Sequence, residues 1–391
     1  MKKALVLALT VLMVLSLATA AFAVEVEYSG KVGVKWSNEA VDGAEGKVDG
    51  FAQDSLEAKV VLDFTKDYGD GVTAGVKTKT EAHGDMNKFE FDGGGWIQLE
   101  RDLFTVKAAT KLNDQVGKDM KEFKIEEKPG FNLKLNLIDG LTVDTILNAG
   151  SEYNYLVKGE FAQDLFTVGG GFQNNNKDDG KVQQAFGVYG SADIIDGLTL
   201  KAEYGNRNLD KDNESNKAIS SILASAAYEV DALNVKGSFL MQDAEFKSAH
   251  KDDIEEVWRI NGVYRWADDS SPRHNVNVIF ADASYKLTDD FEVNGYFDYL
   301  LSVKDAEGNA LPEAVEKEIE KVSYKAGAAY TIDALKLESW YRAYGDSQVA
   351  GKATYTLAED VTTSFEVDYN MYKAENKDAN VVYTAKVEAK F

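Results

Sequence analysis

The sequence predicts an all-β fold, a transmembrane antiparallel up-and-down β-barrel of about 20 strands with short turns at one end and longer loops at the other. Three observations predict it: sustained alternation of apolar and polar residues, nine short acidic turns, and a leader typical of exported proteins. The composition agrees, because three prolines against 19 tyrosines and 19 phenylalanines suit long hydrogen-bonded strands.

The first 23 residues are predicted to be a cleavable signal peptide. Lys2 and Lys3 precede a mostly apolar run of 14 residues, and Ala21-Phe22-Ala23 fits the small-x-small cleavage rule. Cleavage after Ala23 leaves residues 24–391 as a single barrel domain and moves the formal charge from −23 to −25, since two lysines are lost. An uncleaved anchor and a cleavage site at Ala18-Thr19-Ala20 are the alternatives.

Cysteine is absent, which excludes disulfides, a thiolate nucleophile, Cys-ligated metals and lipid attachment through cysteine. A closed strand ladder would supply the missing cross-links, because it hydrogen-bonds every strand to two neighbours.

Period-two alternation starts directly after the leader. Val26, Tyr28, Val32, Val34 and Trp36 form one face of the first predicted strand, and the residues between them are mostly polar or glycine. The same pattern recurs along the chain and ends in a terminal strand with alternating apolar residues from 381 to 391. Strands with one apolar and one polar side fit a barrel wall.

Nine tight turns separate many of these runs, and each has an acidic residue shortly before a new apolar-x-apolar start. They begin at or near Tyr68, Asp102, Asp139, Asp164, Asp196, Asp231, Asp290, Asp333 and Glu359. Longer polar segments, among them residues 345–350, alternate with them, as expected for short periplasmic turns and longer extracellular loops. With both termini on the periplasmic side, nine turns imply 20 strands; counts of 16, 18 or 22 stay open. Residues 254–266 look strand-like, and we interpret them as a hairpin above the membrane or a loop folded into the lumen.

The apolar face is expected to meet lipid, because consecutive strands are candidate hairpin neighbours without Greek-key spacing and no linker divides the chain into soluble domains. A one-residue slip would then turn charged residues toward lipid at about 2–4 kcal/mol for each basic group. The polar face then surrounds a lumen whose backbone diameter is roughly 40 Å, too wide for side chains alone to fill. The phase of the alternation gives these pore-lining candidates: Lys31, Lys35, Glu57, Lys59, Lys77, Lys107, Lys158, Lys201, Glu203, Lys236, Glu338, Arg342, Glu366, Asp368 and Lys386. Each is also compatible with an ordinary solvated wall position.

In pattern, the whole mature chain resembles the bacterial outer-membrane porins. The most specific element is the terminal Phe391 with Val387 and Tyr383 on the same face, which looks like the signal read by barrel-assembly machinery. The resemblance implies a porin-like diffusion channel for small hydrophilic solutes or ions in the outer membrane of a diderm bacterium. It implies outer-membrane lipid and the assembly machinery as partners and, since trimers are common in that family, a homotrimer.

No catalytic, cofactor or metal site is predicted, and no nucleic-acid partner. His83, His250 and His274 are isolated in predicted loops, and Asp210–Glu214 lacks the glycine and glutamate of a calcium loop. Gly93-Gly94-Gly95 is interpreted as a strand kink or bulge. A non-conducting structural or surface-binding barrel and a barrel enzyme are the alternative functions.

The excess of acids lies largely in three loop segments. Residues 37–53, 243–256 and 302–320 carry formal charges of −3, −4 and −4, which together make −11 of the −25. Acids around an outer mouth would favour cations, whereas adaptation to a salty habitat would give the same composition. Residues 312–321 have helical spacing, which predicts a short loop helix on the rim or in the channel. Whether 243–275 or 302–320 constricts the lumen stays open at this point.

Overall fold

The structure is a computed structural model, and it describes thirteen stretches of the chain. These are residues 25–41, 52–83, 88–114, 127–149, 153–176, 181–208, 218–244, 275–305, 307–313, 316, 321–344, 346–371 and 379–390. The predicted signal peptide, the segment 254–266, His250, His274, Asp210–Glu214 and Phe391 lie outside these residues.

The first half of the described chain forms ten strands. They are β1 (Glu25–Val41), β2 (Ala52–Asp67), β3 (Val72–His83), β4 (Lys88–Arg101), β5 (Phe104–Leu112), β6 (Lys128–Ile138), β7 (Leu141–Ala149), β8 (Tyr153–Gln163), β9 (Phe166–Asn176) and β10 (Val182–Ile195). The second half forms ten more. They are β11 (Leu198–Asn208), β12 (Ile219–Val230), β13 (Leu233–Gln242), β14 (Asn275–Lys286), β15 (Phe291–Lys304), β16 (Val322–Ile332), β17 (Leu335–Tyr344), β18 (Asp346–Ala358), β19 (Val361–Met371) and β20 (Asn380–Lys390).

Each strand pairs antiparallel with the strand before it and the strand after it. The ring is completed by β1 and β20, whose ladder runs from Lys31↔Lys390 to Val41↔Asn380. The described residues therefore form a 20-stranded up-and-down sheet, and the predicted fold class and strand number are confirmed. Because β13 and β14 pair directly, no additional strand lies between them in the ring. Within the described part of the chain, no helix is long and apolar enough to cross a membrane.

Short connections join β2–β3, β4–β5, β6–β7 and every later even–odd pair, and they lie at one end of the ring, called here the turn end. All nine were predicted from their acidic residues. Gly140 and Gly197 have φ values of 79° and 78°, and a Cβ on either would lie 2.2 or 2.1 Å from a backbone carbonyl of the neighbouring strand. Glycine is therefore required at both positions by conformation and by space.

The other connections lie at the opposite end, called here the loop end, and several differ from expectation. β1 continues to Val41 and β2 begins at Ala52, so both strands extend into the loop that was predicted over 37–53. The loop predicted over 345–350 is wrong, since β18 begins at Asp346 and pairs back onto Tyr344. His83 ends β3 and does not lie in a loop.

The kink or bulge predicted at Gly93–Gly95 does not interrupt the ladder to β3. These glycines pair with Val76, Lys77 and Thr78 of β3 without a register shift. On the other side of β4, the ladder with β5 ends at Trp96↔Ala109, and the backbone N–H of Gly95 donates instead to the Thr110 hydroxyl at 3.0 Å. The irregularity therefore lies between β4 and β5.

Candidate functional site: the inner wall of the ring

Alternate residues of each strand face opposite sides of the sheet, and the two faces differ in burial. In β10, Phe186 and Val188 are 43% and 53% exposed, whereas Ala185 between β9 and β11 is 2% exposed. The inner face of a closed ring surrounds a limited space, so connections that fold into it cover its side chains, whereas the outer face stays open. The alternate residues that are buried therefore form the inner face, and the exposed apolar residues between them form the outer face.

The outer face presents large apolar and aromatic side chains around the ring, which is the arrangement that lipid contact requires. Its exposed members include Val76, Ile97, Phe131, Leu147, Tyr155, Val157, Val168, Phe186, Val188, Leu200, Val235, Ile279, Phe297, Tyr324, Leu337, Val349, Phe365 and Val387. Val387 and Tyr383, two residues of the predicted assembly signal, share this phase in β20.

Cross-strand partners share a face, so the register traces the inner face around the ring. All fifteen pore-lining candidates fall on it, from Lys31↔Lys59 through Lys158, Glu203 and Arg342 to Lys386↔Lys35. Lys31, Lys35 and Glu57 are placed by backbone pairing alone. That these residues contact permeating solutes stays a prediction.

Charges of both signs alternate on this inner face. Lys77 lies 3.5 Å from Asp63, Lys352 lies 3.7 Å from Glu366, and Lys336 lies 2.7 Å from Glu338. The Lys77 side chain is 62% exposed although it points into the ring, so free volume lies in front of it. Solvated pairs of this kind contribute little to stability, but they keep the wall hydrophilic.

A recess of about 690 Å³ opens on the inner face of β2–β5. Five lysines and three acids line it, and the lysines are Lys59, Lys77, Lys79, Lys107 and Lys111. Lys107 Nζ lies 4.8 Å from the ring centre of Trp96, and Lys111 pairs with Asp92 and, at 3.6 Å, with Glu127. The recess is wide and polar, as expected of a wall that meets water.

The connection after β5 turns inward at its start. The Asp114 carboxylate forms an ion pair with Lys158 of β8, which also lies 3.8 Å from Asp144. On the neighbouring strand β7, Asn148 Nδ2 donates to the backbone oxygen of Leu112 at 3.4 Å. The chain at 112–114 is therefore bound to the inner wall of β7 and β8.

Part of the inner face is apolar and buried, which contradicts the expectation of a polar lumen throughout. Leu156, Leu240 and Val278 face inward and are at most 1% exposed. The apolar inner cluster is Leu112, Ile146, Leu156, Ala185, Leu223, Leu240, Val276, Val278, Phe280 and Leu300. It lies toward the loop end of β5 and of strands between β7 and β15, so the loop half of this wall is covered by other parts of the chain. Continuous apolar runs such as Phe239-Leu240-Met241 and Val278-Ile279-Phe280 were the sequence signal for burial on both faces.

The β15–β16 connection contacts this cluster through Leu311, which packs against it. Ala310 forms a backbone bridge with Lys304, and Glu316 N–H donates to Pro312 O at 2.9 Å, a helical turn where a short loop helix was predicted. Asn309 donates to the Asp305 carboxylate from its backbone N–H at 2.7 Å and from its side chain at 3.0 Å. The side-chain hydrogen bond from Asn309 is the main cause that lowers the pKa of Asp305.

Among the described residues, no group of three or more His, Asp or Glu side chains is arranged to hold a metal ion. Several inward polar groups that sequence reasoning did not select are buried, including Asn148, Asn154, Gln173 and Asp298. The alternation in the sequence could place these residues on the inner face, but it could not predict their burial, which depends on the chain segments that cover the wall.

A model of the Gram-negative porin family matches residues 130–271, which confirms the predicted resemblance to bacterial outer-membrane porins over that segment. No curated protein matches the chain. Among solved structures, a double mutant of Rh. blastica porin aligns at 13% identity over 94% of this chain and 100% of that chain, with a TM-score of 0.43. A triple mutant of the Rhodopseudomonas blastica porin aligns at 12% identity over the same shares, with a TM-score of 0.43. Similarity this distant carries no argument, and the fold assignment rests on the strand ladders of this chain.

Proposed function

We propose that this porin-like barrel is a passive channel for small hydrophilic solutes in a bacterial outer membrane, with a preference for cations. One observation carries the proposal: in a closed ring of 20 strands, large apolar side chains are exposed on one face, and the register puts the fifteen candidate positions on the other face. A ring with these two faces is stable in lipid, since every strand is hydrogen-bonded to a neighbour on both sides.

The water path is narrower than the backbone ring. Twenty strands give a backbone diameter of roughly 40 Å, but the apolar inner cluster and the Asp114–Lys158 contact show that chain occupies part of the loop half. The polar recess of β2–β5, with Lys77 exposed, supports a path along that side of the lumen. Small solutes and ions fit this picture better than large ones.

The cation preference rests on charge at the loop end. The three acidic segments contribute −11. In the connection 305–313, Glu307 and Glu313 are exposed, and Leu311 packs against the apolar inner cluster. Fixed negative charge at a channel mouth raises the local concentration of cations and repels anions. No bond-breaking chemistry is proposed for the chain.

Planar bilayer recording of the purified protein tests the proposal. We expect stepwise conductance and, in a salt gradient, a reversal potential of the sign that cation permeation gives. Folded protein that never conducts contradicts the channel, and a reversal potential of the opposite sign contradicts the cation preference.

The buried inner wall favours a second candidate, a non-conducting barrel with a structural or surface-binding role. Liposome swelling discriminates between the two, because a small sugar enters vesicles that contain a diffusion channel and is excluded by a filled barrel. Heat-modifiable gel mobility of the same sample establishes that the barrel is folded.

A further inference from the structure

A carboxylate is buried in the inner wall of β15 without a basic residue opposite it. Asp298 is 5% exposed and faces inward, between Phe280 of β14 and Ser323 of β16, which are buried as well. The neighbouring inward acid on β14, Asp282, differs, because Lys236 lies opposite it. An ionised carboxylate in surroundings as apolar as those of Asp298 is unfavourable unless a positive charge neutralises it.

The nearest lysines along the chain contact other groups. Lys321 and Lys325 flank the β16 residue that lies opposite Asp298. Lys321 Nζ lies 3.2 Å from Glu316 Oε1, and Lys325 Nζ lies 5.4 Å from the ring centre of Trp340. Within the part of the chain that the structure describes, no lysine or arginine forms an ion pair with Asp298. Neutralisation of this carboxylate therefore requires a proton or a bound cation.

The buried oxygen atoms at this position favour the cation. Asp298 Oδ2 and Ser323 Oγ are both inaccessible to solvent, and neither has a hydrogen-bond partner. A protonated Asp298 would donate to a neighbouring oxygen, yet these two atoms form no hydrogen bond with each other. Tyr296 brings a further hydroxyl group to the same face of β15, where its ring packs against the apolar inner cluster. Hard cations prefer carboxylate and hydroxyl oxygens as ligands, and a buried polar atom without a protein partner is a place where an ion or water binds.

We propose that Asp298 and Ser323 bind a monovalent hard cation such as sodium inside the barrel wall, at the junction of β14, β15 and β16. One carboxylate carries one negative charge, so a monovalent ion neutralises it, whereas a divalent ion would leave a net positive charge beside Phe280 and Leu300. The attraction between this ion and Asp298 is screened much less than that of the solvated pairs of the open wall. The site is structural and goes beyond the proposed channel function, and its test does not require the barrel to conduct.

The test measures how the stability of the barrel depends on sodium. Protein refolded into phospholipid vesicles is titrated with urea at fixed pH and constant ionic strength, while N-methylglucamine chloride is replaced stepwise by sodium chloride. The unfolding equilibrium constant of the wild type should fall by up to about tenfold for each tenfold rise in sodium above the dissociation constant. Asp298→Asn keeps the size of the side chain and should remove this response. The matched control is Asp63→Asn, which removes a carboxylate that is 28% exposed and lies 3.5 Å from Lys77, and it should keep the full response.

A second variant decides the question if Asp298→Asn does not refold. Ser323→Ala keeps the carboxylate and removes one oxygen ligand, so it should need several-fold more sodium for half of the stabilisation, and an unchanged sodium dependence would overturn the proposal. A wild type that does not respond to sodium, or an equal response of Asp298→Asn, would overturn it as well. Stabilisation by calcium but not by sodium contradicts a monovalent site, and stabilisation by acid alone assigns a proton to Asp298 instead of a cation.

Discussion

A lysine substituted on the outer face tests most sharply which side of the barrel wall meets lipid. Val188 lies near the middle of β10 and is 53% exposed on the apolar face. In a membrane, Val188→Lys places an ammonium group among acyl chains near the bilayer midplane, which costs about 2–4 kcal/mol. The loss of the valine contact with lipid adds roughly 1 kcal/mol.

Thr384→Lys is the matched control, because it introduces the same side chain at the middle of β20 on the inner face. Thr384 pairs with Glu366 of β19, so the new ammonium group has a carboxylate opposite it. We expect the unfolding free energy of this variant to change by about 0.5 kcal/mol or less.

Urea titrations of both variants refolded into phospholipid vesicles, followed by tryptophan fluorescence, give the two free energies. A difference of about 3 kcal/mol between them supports the assigned faces. Equal stability, or a larger loss for Thr384→Lys, would refute the reasoning, because it would put lipid on the face that carries the charged candidates.

Three further predictions concern turns, ion pairs and assembly. Gly140→Ala should cost about 1–2 kcal/mol of unfolding free energy, since the φ of Gly140 is positive and an added Cβ would meet Ala162 O. Gly237→Ala is the control and should be near neutral, because open space surrounds Gly237. Equal effects of the two variants in urea titrations would argue against the turn geometry. Lys158→Met should cost about 1 kcal/mol after solvent screening, because it removes the ammonium group that pairs with Asp114 and Asp144. An unchanged urea midpoint relative to exposed Lys201→Met would contradict that contact. Deleting Phe391 should lower the amount of barrel assembled in cells while leaving the stability of refolded protein unchanged, and full assembly on immunoblots of outer-membrane fractions would count against the proposed signal.

The strand order could be predicted from sequence because its determinants are local. Asp139-Gly140 and Asp196-Gly197 allow the positive φ that the turns contain, and alternation then fixes which residues share a face. The same logic placed all fifteen candidates on the inner face, from a single sequence.

The errors arose where local pattern and tertiary context differ. Gly93–Gly95 have the composition of a bulge, yet the ladder to β3 stays in register and the break falls on the β5 side, where Thr110 replaces a backbone partner. Gly345 and its neighbours have loop composition, yet β18 begins at Asp346.

The apolar inner cluster could not be predicted from alternation alone. Leu240 and Val278 lie on the polar phase, and only the approach of other chain segments explains their burial. Leu311 had a helical spacing in the sequence, but its position on the inner wall depends on contacts between residues distant in sequence. Loop placement is a tertiary property, whereas turn chemistry is local.

Thiol labelling along β3 tests the central claim most directly, because the chain contains no cysteine of its own. Single cysteines at Val76, Lys77, Thr78 and Lys79 sample both faces of one strand, and Val76 is 49% exposed on the outer one. With protein reconstituted in vesicles, a small hydrophilic reagent should modify the variants at Lys77 and Lys79 rapidly and those at Val76 and Thr78 slowly. Uniform labelling, or labelling of the opposite phase, would contradict a lipid-facing apolar wall around a water-filled lumen.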